Sequence, residues 1–391
     1  MTIRMRLIPQ AALATLCAVV LMADVPLSAQ VVISANDGKA VLVDGVNMVP
    51  TPPGPDTVTI LDASVAPMRV VAELRVPNSV LGPPQNVAIS PDGTIAVVAS
   101  ATKLDPADAS KTLPDNRVTV IDLRGATPTI AGTVEAGTSA SGLSFSPDGT
   151  LLLVANRGEG TISIFRVSGT TLTAAGKVDL GAPTSGPSHV VFTPNGRTAL
   201  VTRNGDHLVS VLDVNRATVT YSRRDIVAGL KPYGIVVTPD GRVALVANVG
   251  SGTTGSVDTV AVIDLTLDYP RTVNYVTAGI VPEAIAMSPD GRFVAMTVMN
   301  GTNAVPSSSI YRNAGRLRVF SLAGTTLTPV AETAIGRWCQ GVGWTPDGRT
   351  LMAQCMTERE IQVFGFDGTR LTATGSVKVN GAPAGIAIGR K

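Results

Sequence analysis

The stretch LSFSPDGTLLLVAN (residues 143–156) reads as an apolar strand, the turn Ser-Pro-Asp-Gly, and a second apolar strand. Proline presets φ in such a turn and glycine accepts φ > 0. The phrase recurs as VAISPDG (87–93), LSFSPDG (143–149), VVFTPNG (190–196), IVVTPDG (235–241), IAMSPDG (285–291) and VGWTPDG (342–348). Its glycines stand 56, 47, 45, 50 and 57 residues apart. A β-rich period of that length predicts a propeller with one four-stranded blade per repeat. Turn chemistry accounts for every position of the phrase, so it reads as structure and not as a ligand motif.

In the second unit an inner strand A is expected over 141–146, B over 151–156, C over 161–167 and D over 172–178. The C-terminal AGIAI (384–388) copies the start of an A strand and then the chain stops. VVISAN (31–36) matches the B strands LLLVAN (151–156) and VALVAN (243–248). Residues 57–61 and 70–76 read as C and D. The last strand is therefore expected to join the first three and close the ring, leaving no unpaired edge. The prediction is an all-β, seven-bladed propeller over residues 30–391.

The B-strand endings VANRG, VTRNG, VANVG and ISAND, each tied to this turn, resemble the YVTN-repeat and lactonase-like seven-bladed propeller superfamily. The resemblance spans about residues 31–391. Its members include periplasmic and surface proteins without established chemistry, lactone hydrolases, and large subunits of amine dehydrogenases. It implies the fold and, since no member's catalytic motif is matched residue by residue, no mechanism.

Arg4 and Arg6 precede an apolar run over 11–23, too short to span a bilayer, and Leu27-Ser28-Ala29 offers a cleavage site, with Ala23 a second candidate. Residues 1–29 are thus expected to be a signal peptide, with the protein periplasmic or secreted. Leu16 before Cys17 argues against a lipoprotein. The net charge is +2, without a basic run, which speaks against nucleic acid as a partner. No zinc, Cys-x-x-Cys, nucleophile-elbow, phosphate-loop or EF-hand motif occurs, and no cofactor or metal is expected.

In a blade, the B–C and D–A loops share the upper face. Long B–C loops are expected at 44–56, 101–116 and 299–315, with a milder one at 249–258. They form one arc around the sixth blade, and function commonly sits on loops held by a rigid scaffold. The residues that enter the A strands ring the channel mouth: Gln85, Ser141, Ser188, Tyr233, Glu283, Gln340 and Ala384. Asn86, His189, Lys231, Arg337 and Trp338 flank them, and Arg157 and Arg203 rise at B-strand ends. A polar mouth over a narrow channel is the default place for a ligand. Glu283 is the candidate general base, and Arg337, Arg157 or Arg203 the candidate holder of an anion or oxyanion. Ser188 and His189 are adjacent on a strand and face apart, so they are not expected to form a dyad.

Cys339 and Cys355 sum to the pairing register of the sixth blade's A and B strands, which predicts a disulfide. The leading functional expectation is a scaffold holding a partner protein or small polar ligand on the upper face. The alternative is a lactone hydrolase with its site at the channel mouth. A third is a non-redox subunit of a periplasmic dehydrogenase.

Overall fold

The computed structural model describes residues 30–252 and 254–389. The expected signal segment and Cys17 lie outside the described residues. Seven four-stranded antiparallel sheets form the blades. Blade 7 is closed by both chain ends, in the order Ala382–Ile388, Val31–Asp37, Thr57–Asp62, Arg69–Arg75. Its inner pair runs in register from Val32 opposite Ile388 to Asp37 opposite Ala382. The A strands of blades 1 to 6 are Val87–Ile89, Ala140–Phe145, Pro187–Phe192, Pro232–Val237, Pro282–Met287 and Cys339–Trp344. Among the described residues no helix is long and apolar enough to cross a membrane.

The B strands are apolar at nearly every position because blades cover both of their faces. Leu151–Asn156 and Val243–Asn248 are buried throughout. Apolar clusters fill the space between blades: Leu151, Leu153 and Ile162 of blade 2 pack with Phe192, Val201 and Leu212 of blade 3. Each such side chain stabilises the fold by roughly 1.5–3 kcal/mol. The D strands are mostly exposed at the rim.

The repeated turn is satisfied by its own atoms. Ser146 Oγ donates to Asp148 Oδ1 at 2.5 Å, Thr150 N donates to the same oxygen at 3.0 Å, and Leu151 N donates to Ser146 Oγ at 2.9 Å. Gly149 takes φ +73°. The serine or threonine to Asp or Asn bond recurs in the other five copies. Each turn also packs against the preceding one: a Cβ on Gly291 would stand 2.9 Å from Pro239 Cδ. The motif is a structural rivet on the lower face.

The long upper loops behave as one arc. Blade 7 adds the hairpin Val41–Val43/Val46–Met48, and blade 1 adds Thr102–Leu104/Thr112–Pro114. A Cβ on Gly45 would meet Ala304 of the blade 5 loop at 2.4 Å, and one on Gly255 of the blade 4 loop would meet Ile310 at 2.4 Å. The blade 7 hairpin thus reaches across blade 6 to blade 5.

Cys339 and Cys355 oppose each other in register and are bridged. The bridge ties the first residue of blade 6 strand A to the last of its strand B. Replacing both with serine is expected to lower stability by about 3 kcal/mol through loss of the short closed loop. Urea unfolding would check this, with the midpoint falling and the slope unchanged; an unshifted midpoint would refute it.

Candidate functional site

Every A strand of blades 2 to 6 carries a β-bulge at the same level. The register slips between Ala140 and Leu143, Pro187 and Val190, Pro232 and Ile235, Pro282 and Ile285, and Cys339 and Val342. Ser141-Gly142, Ser188-His189, Tyr233-Gly234, Glu283-Ala284 and Gln340-Gly341 thereby each oppose one B-strand residue. A bulge bends a strand and re-aims its side chains. Here it gathers the predicted ring residues around the channel mouth.

Side chains from the B strands replace the lost ladder bonds. Thr202 Oγ1 accepts from His189 N at 3.0 Å and donates to Tyr233 O of the next blade at 2.7 Å. Thr297 repeats this between Ala284 N, at 3.2 Å, and Gln340 O, at 2.6 Å. The residues just before these strands include Ser139, Lys231, Val281 and Trp338, all left-handed, with φ of +56°, +54°, +56° and +44°. For β-branched Val281 that conformation costs on the order of 1–3 kcal/mol. It lies two residues from Glu283.

Glu283 is buried, and desolvation pushes its carboxyl up to about 8, opposed by the charge of Arg157. Gln340 Nε2 donates to Glu283 Oε1 at 3.5 Å. Arg157 lies with its guanidinium 5.5 Å from the Tyr233 ring centroid and donates to Ser188 Oγ and, at 3.3 Å, to Asn204 Oδ1. Among the described residues it has no carboxylate within ion-pair distance. Burial, with Glu283 adding to it, pushes the Tyr233 hydroxyl up, so it stays a neutral phenol. The mouth therefore holds one unpaired cation, one carboxyl near its neutral point, and amide and hydroxyl groups from Gln340, Gln85, Ser141 and Ser188.

Four of the predicted candidates do other work. Arg203 is spent on its own blade: it pairs with Asp206 and with Asp225 at 3.5 Å, and donates to Ser185 and Tyr221. Arg337 pairs with Glu358 at 3.1 Å among the loops of blade 6. Long guanidinium side chains reach the nearest carboxylate, and these two have one beside them. His189 is wholly buried, and desolvation lowers its imidazole to about 3. Its Nδ1 accepts from Ile235 N at 3.3 Å, so it is a neutral strut between blades 3 and 4 and not a ligand for an anion. Asn86 is also structural, donating to Ser79 O and Ala99 O. Lys231 donates its backbone N–H to His207 Nδ1 at 3.1 Å, and Trp338 packs against the cluster of Val80, Met356, Ala382 and Ala384.

One element escaped the sequence reading. The connection 76–86, from strand D of blade 7 to strand A of blade 1, crosses the mouth. Val80 O accepts from Gln340 Nε2 at 3.4 Å, the Gly82 N–H reaches the Tyr233 hydroxyl, and a Cβ on Gly82 would stand 2.2 Å from Ser141 Oγ. It is the longest of the D–A connections, the others spanning 136–139, 180–186, 228–231, 280–281, 336–338 and 379–381. That length was the available signal. Its root is held by a buried ion cluster, in which Lys39 Nζ bonds Asp37 Oδ1 at 3.1 Å, Asp56 Oδ2 at 2.9 Å and the Asn78 carbonyl. Two grooves, of about 630 and 530 Å³, flank the blade 7 loop outside the mouth and share Gly54, Pro55 and Arg75.

The family described as "Lactonase, 7-bladed beta-propeller" matches residues 112–182 and 143–318. Among solved structures, the periplasmic gluconolactonase PpgL of Pseudomonas aeruginosa shares 17% identity over 92% of this chain and 98% of its own, with a TM-score of 0.64. A candidate 6-phosphogluconolactonase from Bacteroides uniformis shares 17% over 92% and 99%, with a TM-score of 0.71. A functionally unknown protein from Desulfotomaculum acetoxidans gives 16%, 92%, 98% and 0.69. These likenesses show the fold. No curated protein matches the chain.

The carboxyl of Glu283 makes a prediction about stability. With a folded value of about 8 against an ordinary 4.5, the native state holds a proton that the unfolded chain has lost over that interval. This contribution is complete below pH 4.5 and lost as the pH rises through 8. Melting temperature should therefore fall more steeply from pH 5 to 9 in the wild type than in Glu283→Gln, as thermal melts followed by circular dichroism can check. Parallel curves would show that Glu283 is ionised in the native state at neutral pH.

Proposed function

Because the chain belongs to the seven-bladed β-propeller lactonases, we propose that it hydrolyses a lactone at the channel mouth, with Glu283 as general base and Arg157 as oxyanion holder. The observation that carries this reading is the buried Glu283 beside Arg157, a cation without an ion-pair partner among the described residues. A buried carboxyl with its titration shifted this far, beside a cation it does not pair with, is a perturbed group of the kind that concentrates at functional sites.

The chemistry follows from the placement. The ionised Glu283 carboxylate takes a proton from a water as its oxygen attacks the lactone carbonyl carbon. The oxyanion so formed accepts hydrogen bonds from Arg157, whose charge acts strongly in a dry site. The ring C–O bond then breaks, and the proton on Glu283 passes to the leaving alkoxide, giving the hydroxy acid. Gln340 holds the carboxylate in position, and Tyr233, kept as a phenol, is a further donor. The expected export segment and the disulfide support a periplasmic or extracellular setting.

A second reading, a scaffold for a partner protein, is favoured by one observation: Val43, Val46, Met48 and Val305 are exposed on the upper loops.

A pH-indicator assay on the oxidised protein against sugar and aliphatic lactones tests the proposal. Turnover should rise with pH through about 8, the value of Glu283. Glu283→Gln should cost about 10²–10⁴-fold in kcat, and Arg157→Met about 10²–10³-fold. Turnover that survives Glu283→Gln would keep the hydrolase and reject this base. No turnover across the panel would leave the scaffold reading.

A further inference from the structure

Residues 78–84 lie over the ring that the proposed hydrolysis needs. Ser141, Glu283 and Gln340 are buried beneath or beside them, so this segment covers the upper-face approach to Glu283.

The segment is anchored at both ends, and between them only Leu81 faces solvent. Upstream, Asn78 Nδ2 donates to Asn36 O, Thr57 O and Val76 O at 3.1, 3.1 and 3.0 Å, and Val80 N donates to Asp37 Oδ2 at 2.9 Å. Downstream, Pro83 and Pro84 have fixed φ, Pro84 O accepts from Ile386 N at 3.3 Å, and Gln85 O accepts from Leu143 N at 3.0 Å. Between them, Val80 O takes the long 3.4 Å bond from Gln340, the Gly82 N–H reaches the Tyr233 hydroxyl, and Leu81 N bonds the segment's own Ser79 Oγ at 3.0 Å. The Leu81 side chain is 49% exposed. Gly82, at φ +105°, supplies backbone freedom where the chain turns down.

The closed arrangement leaves polar atoms unanswered. Gln85 Oε1, Ser141 Oγ, Gln340 Oε1 and Trp338 Nε1 are all buried around the segment without a hydrogen-bond partner among the described residues. Each such atom carries a desolvation penalty that water or a polar ligand would remove. Lifting would give up the Gln340 and Tyr233 bonds and let water or a ligand reach these atoms, so each arrangement satisfies polar groups that the other leaves unpaired.

We infer that residues 78–84 form a strap that lifts at 80–82 to admit the substrate and closes over it to exclude water. This rests on the mouth being the reaction site. It adds that access is gated by the connection between the closing blade and blade 1.

Thiol reactivity at Ser141 tests the strap without any substrate. Ser141 Oγ has no partner, so Ser141→Cys breaks no bond. The two cysteines among the described residues are already bridged and give no background. A small methanethiosulfonate reagent should label the folded variant faster than the protein unfolds globally, as circular dichroism reports. Adding Ser79→Ala removes the bonds to Thr102 Oγ1 and Leu81 N. Of these only the Thr102 bond ties the segment to its neighbour, so labelling should speed up by about two- to ten-fold, the yield of one modest hydrogen bond. Labelling only at the global unfolding rate, unchanged by Ser79→Ala, would overturn the strap and make it a fixed wall. Folded-state labelling without turnover of any lactone would keep the strap and reject the hydrolase.

Discussion

The whole upper half of this propeller follows from one residue too many in each inner strand. A strand crowded around a common axis has little room for side chains, and a regular ladder would keep its polar groups paired and its side chains in strict alternation. The bulge breaks that alternation at one level in blades 2 to 6. It turns Ser141, Ser188, Tyr233, Glu283 and Gln340 toward one small volume. It also costs ladder hydrogen bonds, and the fold compensates with hydroxyls on the facing strand. Thr202 and Thr297 each join one blade's inner strand to the next. The same atoms thus hold the ring together and keep the mouth polar.

The two charge clusters near the mouth have opposite characters. Lys39 is enclosed by two carboxylates and a carbonyl, and Asp37, raised to about 6 by burial, is further tied by backbone N–H groups. That cluster is satisfied and rigid, and it fixes the root of the strap. Glu283 and Arg157 feel each other's charge but do not close into a pair. A pair with saturated partners stabilises a conformation, whereas an open one retains capacity to bind.

The repeat made the architecture legible because turn chemistry is local. The Pro, Asp and Gly of each copy satisfy one another within a few residues, whatever surrounds them. Ring closure and the disulfide were legible for a related reason: strand register is arithmetic, and Cys339 falls opposite Cys355. The ring of Gln85, Ser141, Tyr233, Glu283 and Gln340 could be aligned by the same arithmetic. Which of three arginines serves that ring could not. The sequence shows where a guanidinium starts and not which carboxylate stops it. Asp206 stops Arg203 and Glu358 stops Arg337, while Arg157 finds, among the described residues, a serine, an asparagine and a tyrosine ring but no carboxylate. His189 looked like a mouth residue, and only burial against Ile235 shows that it is structural.

The closing blade is where such a protein can best carry a moving part. Its four strands come from both ends of the chain, and its inner pair is fully registered. Insertions in its connections therefore leave the repeat turns of the other blades untouched. Blade 7 accordingly holds the hairpin that reaches blade 5, the Lys39 cluster and the connection across the mouth. Across the ring, blades 2 and 3 have short B–C connections and supply Arg157 and Ser188 on strands packed tightly by their apolar faces. The cover thus comes from one blade while the groups beneath it come from blades 2 to 6, a division of labour that a ring of equal blades does not provide, and the unequal connection lengths create it.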